Sequence, residues 1–172
     1  MARPRRLKRQ AVPGLAMMLV TAAVAARPAR AQSALELRPV PVLRADAIIA
    51  SHQTSLEVGG GAQFPAGYYV RVDVLGAAGE HAQGGVHDAS GRLDVVGRFL
   101  LDPFRRTPFG LSAGAGLSLR ARHGDRIRPY LLMVADLEGP RTAAGVSPAL
   151  QLGLGGGVRI GLAFRWSGKA AR

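Results

Sequence analysis

From Leu150 to Trp166, apolar residues occupy every second position: Leu150, Leu152 and Leu154, then, past three consecutive glycines, Val158, Ile160, Leu162, Phe164 and Trp166. Between them stand Gln151, Gly153, Arg159, Gly161, Ala163 and Arg165. Successive side chains of an extended chain point to opposite sides, so this period of two predicts a β-hairpin with one apolar face and one small or basic face. Residues 109–122 repeat the pattern, with Phe109, Leu111, Ala113, Ala115, Leu117, Leu119 and Ala121 on one face and glycine, serine or arginine on the other. Glycine at that density would cost a helix about 1 kcal/mol per residue, which argues against any helical reading. Strand signals of this kind recur over residues 43–51, 55–64, 68–78, 91–101, 109–122, 128–138, 149–155 and 157–166. The sequence therefore predicts an all-β, eight-stranded antiparallel up-and-down β-barrel, because strands of about 9 to 11 residues cross a bilayer when tilted and single-chain bacterial barrels start at eight strands.

The first 31 residues read differently. Arg3, Arg5, Arg6, Lys8 and Arg9 precede an Ala-rich apolar stretch, and Ala29-Arg30-Ala31 has the small-x-small form of a cleavage site before Gln32. This is the pattern of a cleavable signal peptide for general secretory export, too short and too Ala-rich for a spanning helix. The expected organisation is a signal peptide over residues 1–31, a lead segment over 32–42, the barrel over 43–166 and a tail over 167–172. Removing the signal also changes the charge. The whole chain carries 23 basic against 11 acidic residues; the mature part keeps 16 basic against the same 11, a net +5. That balance, with no interleaving of aromatic and basic residues, gives no support to nucleic-acid binding. Cysteine is absent, which excludes a disulfide framework and thiolate chemistry.

Connections alternate in character. Residues 65–67, 102–108 and 139–147 contain prolines and would form turns on the periplasmic side. Residues 79–90 and 123–127 would be outer loops, with 52–54 and 155–157 as tight outer turns. Eight of the nine aromatic residues then gather at the end holding the C-terminus, leaving Tyr130 at the other. Among them Phe64, Tyr68, Phe99, Phe109, Phe164 and Trp166 are candidates for an interfacial girdle. With the apolar phase outward, the inward phase holds Arg44, Asp46, Glu57, Arg71, Asp73, Arg92, Asp94, Arg98, Arg120, Asp136, Glu138, Arg159 and Arg165, seven basic and six acidic. An eight-stranded barrel is just wide enough for side chains to fill, so near-balanced charges predict a plug of ion pairs. Inward glycines such as Gly59, Gly114 and Gly161 would leave room for guanidinium groups to cross the interior.

On these residues the chain resembles the small eight-stranded outer-membrane barrels of the OmpA/OmpX type over roughly residues 43–166. Barrels of that kind commonly end in an aromatic residue read by the assembly machinery, and Phe164-Arg165-Trp166 looks like that signal, although six residues follow it. The resemblance implies outer-membrane lipid and the barrel-assembly machinery as partners, and a structural or surface-interaction role. A small pore, a lipid-modifying barrel enzyme and a soluble lipocalin-like barrel with an apolar interior are the alternatives. No enzymatic activity is expected, since His52, His81, His87 and His123 fall in predicted loops near Ser51, Ser55 and Ser90 without an ordered Ser/His/acid spacing. Their irregular spacing also gives no metal-ligand pattern, and the two triple-glycine stretches lack the lysine and helix of a phosphate-binding loop. No cofactor is expected.

Overall fold

The computed structural model describes residues 38–104, 107–122 and 125–167. The signal-peptide reading and most of the predicted tail lie outside these residues. The described chain is a closed antiparallel barrel in which each strand pairs with its neighbours in sequence and β1 pairs with β8. The strands are β1 (Val40–Ala50), β2 (Gln53–Pro65), β3 (Val70–Gln83), β4 (Val86–Leu100), β5 (Gly110–Arg122), β6 (Arg128–Glu138), β7 (Val146–Leu154) and β8 (Val158–Trp166).

Burial alternates along every strand in the phase read from the sequence. In β8 it is strict, with Arg159, Gly161, Ala163 and Arg165 buried and Val158, Ile160, Leu162, Phe164 and Trp166 exposed. The continuous apolar run of β6 also alternates: Leu131 and Met133 face out, while Leu132 and Val134 are buried inside. The apolar phase therefore lies on the outside of the barrel and the charged phase within. This geometry overturns the lipocalin-like alternative, which required an apolar interior.

Three expectations about connections are corrected. Most of the outer loop expected at residues 79–90 is strand: β3 and β4 continue their ladder to Gln83↔Val86 and turn in the two residues Gly84-Gly85. Both glycines have positive φ, 57° and 82°, as a type I′ hairpin turn demands. The turn expected at residues 52–54 is Ser51-His52, with His52 at φ 60°, so Thr54 already belongs to β2. Strands also start earlier than expected at two places, β1 at Val40, inside the supposed lead, and β7 at Val146, inside the supposed turn. Pro41 is tolerated because it pairs only with Ala62 of β2, the ladder to β8 beginning at Val42.

Several of the inward glycines have a different reason from the one expected. A Cβ on Gly116 would stand 2.0 Å from the Val95 carbonyl oxygen, and one on Gly61 would stand 2.0 Å from that of Val74. The neighbouring backbone approaches so closely on the concave side that no side chain fits. Glycine at these positions is what lets a narrow barrel curve, whereas at Gly161 the nearest neighbour of an added Cβ would be the Asp46 carboxylate, so there the expected room for the charged network is what the glycine leaves.

Candidate functional site

The interior is the first place where function could reside. Twelve of the thirteen inward charges are buried; Arg71, at the mouth beside the C-terminus, is half-buried. They form two clusters. In the cluster nearer the Gly84-Gly85 turn, Asp94 is the hub, paired with Arg159 at 2.8 Å, Arg92 at 3.1 Å and Arg44 at 3.4 Å. Asp46 accepts from Arg44 at 2.7 Å and from Arg92 at 2.5 Å. Arg92 also reaches Glu57 at 2.9 Å, and Ser90 donates to Glu57 at 3.1 Å. Arg120 closes this end, 3.8 Å from Glu57, with its guanidinium 5.9 Å above the Tyr130 ring.

The second cluster lies toward the termini. Arg98 bridges Asp73 and Asp136, the latter at 2.6 Å, and Asp136 also takes Arg165 and the Gln151 amide. Gln63 donates to Asp73 at 2.8 Å and accepts from Arg71 at 2.9 Å. Glu138 lies 3.6 Å from Arg165 and 3.9 Å from Arg71. Between the clusters the inward positions turn apolar: Val96 separates Asp94 from Arg98 on β4, and Val96 packs with the buried Leu132 and Val134 of β6. A buried charge is tolerated only when paired and hydrogen-bonded. Each acid in these clusters serves at least two guanidinium or amide donors, which is how seven cations and six anions share one narrow interior.

Sequence parity could have found the remaining polar partners. Gln63 and Gln151 share the inward phase of their strands, as do Ser118 and Ser55, all buried. His81 corrects the expectation of a solvated loop histidine: it is buried on β3, with its Nδ1 2.9 Å from Ser55 Oγ. Its Nε2 has no hydrogen-bond partner among the described residues, so Ser55 and His81 form a pair without an acid. His87 faces outward, 2.5 Å from Glu80. Among the described residues no group of histidines or carboxylates is placed to hold a metal ion.

The exterior is the second surface with chemical content. The outward positions of all eight strands are Gly, Ala, Pro or larger apolar residues, with the exceptions of Thr54, Glu80 and His87. All three stand near the Ser51-His52 and Gly84-Gly85 turns. At the opposite end Phe64, Tyr68, Phe99, Phe109, Phe164 and Trp166 are all exposed. Tyr69 stacks on Phe99 with ring centres 5.7 Å apart and meets Phe104 edge-on at 6.3 Å.

No family model and no curated protein matches the chain. Among solved structures, the solution NMR structure of the de novo designed protein TMB2.3 is similar at 14% identity, over 77% of this chain and 97% of that one, with a TM-score of 0.44.

Proposed function

We propose that this chain is an outer-membrane β-barrel protein, exported through its N-terminal signal and serving a structural or surface-interaction role rather than catalysis or open-pore transport. The observation that carries the reading is the uninterrupted apolar exterior. Soluble proteins rarely expose contiguous apolar patches beyond a few hundred Å², and here Leu56, Val58, Leu117, Leu131, Met133, Leu152 and Leu154, all more than half exposed, belong to one band around the barrel. Its polar exceptions lie at one edge and its aromatic rings at the other, the arrangement a bilayer with two interfaces favours. The aromatic edge would face the periplasm, and Phe164 with Trp166 would present the signal read by the assembly machinery. The β3–β4 hairpin, with Glu80 and His87 on its outer face, would stand clear of the membrane as the surface available to an extracellular partner.

Lipid exposure is directly testable. In a Trp166→Phe background, single tryptophans placed at Leu117 and Leu131 should be quenched by brominated lipid and spared by aqueous iodide. Quenching by iodide at both sites would overturn the membrane reading.

Closure of the interior is a separate expectation. Asp94, Ser118, Gln151, Arg159, Val96 and Leu132 are all completely buried, so the purified barrel should leave planar bilayers silent apart from rare events. Steady, large conductance from the wild-type protein would favour the pore alternative.

A further inference from the structure

The mouth beside the C-terminus holds a cavity of about 120 Å³. Water occupies about 30 Å³ per molecule in the liquid, so the space exceeds what one bridging water needs. Its walls include the guanidinium-bearing residues Arg71, Arg141 and Arg165, with Glu138 as the one carboxylate and Ser167 as a hydroxyl donor. Among the described inward residues near this mouth, three cations stand against three anions: Arg71, Arg98 and Arg165 face Asp73, Asp136 and Glu138. Arg141 adds one positive charge on top of that set. It is exposed at the rim, and among the described residues it makes no hydrogen bond or ion pair. Arg165, by contrast, is almost wholly buried, and its Nε has no hydrogen-bond partner.

We propose that this cavity is a binding site for a small oxyanion, a phosphate group or a carboxylate, held between Arg141 at the rim and Arg165 in the wall with Ser167 as a third donor. A guanidinium fork matches the paired oxygens of such a group, and hydrogen bonds between charged partners are stronger than neutral ones. The bound anion would offset the positive charge that Arg141 brings to the rim. The site depends on the mouth alone, so it stands whether lipid or water surrounds the barrel.

The test is a titration of inorganic phosphate, followed by phosphorus NMR line width, into the full chain folded in nonionic maltoside micelles at low chloride. Saturable one-to-one binding is expected. Arg141→Ala should weaken it by about tenfold or more, the loss of one charge-assisted contact. Arg141→Lys should recover most of the affinity, and Arg126→Ala, at the opposite end, should leave it unchanged. Heat-modifiable gel mobility identical to wild type shows that each variant is folded. Non-saturable binding, or equal losses in the Arg141→Ala and Arg126→Ala variants, would overturn the site and leave only general attraction to a basic protein. Repeating the titration in nanodiscs containing phosphatidylglycerol identifies the source of the group. Competition by the bilayer supports a lipid headgroup in the cavity, and undiminished binding supports a soluble anion.

Discussion

Asp94→Asn is expected to be among the most damaging single substitutions in this chain, costing about 3 to 5 kcal/mol, the range measured when one partner of a buried ion pair is removed. Asp94 is completely buried and is the shared partner of Arg44, Arg92 and Arg159. Its cluster already holds four arginines against three acids, so losing one carboxylate leaves two surplus cations where water has no access. The measurement is the urea midpoint of unfolding, read from gel mobility in lipid vesicles. Asp125→Asn serves as the comparison. That carboxylate lies 3.9 Å from Arg128 with both side chains exposed, and such pairs are worth about 1 kcal/mol at most. Equal midpoints for the two variants would mean that the interior is wet enough to screen its charges. Adding Arg159→Leu to Asp94→Asn should recover part of the loss, because it removes one stranded cation.

The second large effect is steric. A methyl group on Gly116 would lie 2.0 Å from the Val95 oxygen and 2.7 Å from the Val96 Cα. Relief requires the β4 backbone to retreat by more than an ångström while remaining in its ladder, so Gly116→Ala should cost about 3 kcal/mol, at the upper end for overpacking. Gly97 sits on the outward side of the same ladder, where a Cβ would meet nothing nearer than the Ala115 oxygen at 3.9 Å. Gly97→Ala should be neutral or stabilising by up to about 1 kcal/mol, through the reduced freedom of the unfolded chain. If both substitutions are tolerated alike, the concave glycines are not what sets the curvature.

Strand number and the division of each strand into an apolar and a charged face were legible in the sequence because successive side chains of a strand point to opposite sides. Alternation alone fits an apolar interior as well as an apolar exterior, and only the gathering of aromatic residues at one end pointed to the charged phase as the buried one. The β3–β4 hairpin was not legible beyond Ala78, and the reason is physical. Glu80, His81, His87 and Asp88 break the apolar alternation because the hairpin there has left the apolar band, yet its backbone ladder continues without needing that alternation. The same break hid the inward position of His81 and its pairing with Ser55. Parity counted from Arg71 and Asp73 would have placed His81 inside. The two-cluster arrangement of the charges was invisible for another reason. Which arginine meets which acid depends on the stagger between distant strands, as with Arg44 and Asp94, fifty residues apart, and no spacing along the chain encodes it.

Seven of the eight ladders join strands that follow one another in sequence, some through turns of two residues, whereas β1 and β8 bring together the two ends of the described barrel. The barrel therefore has a seam. Every other ladder can form as a local hairpin at small entropic cost, but the seam must close a loop as long as the whole sheet. Until it closes, Val42 to Ile49 and Val158 to Arg165 present two bare edges that any other strand can occupy. The nascent protein is thus most open to templating, and most vulnerable to pairing with the wrong sheet, along a single line that disappears once assembly is complete.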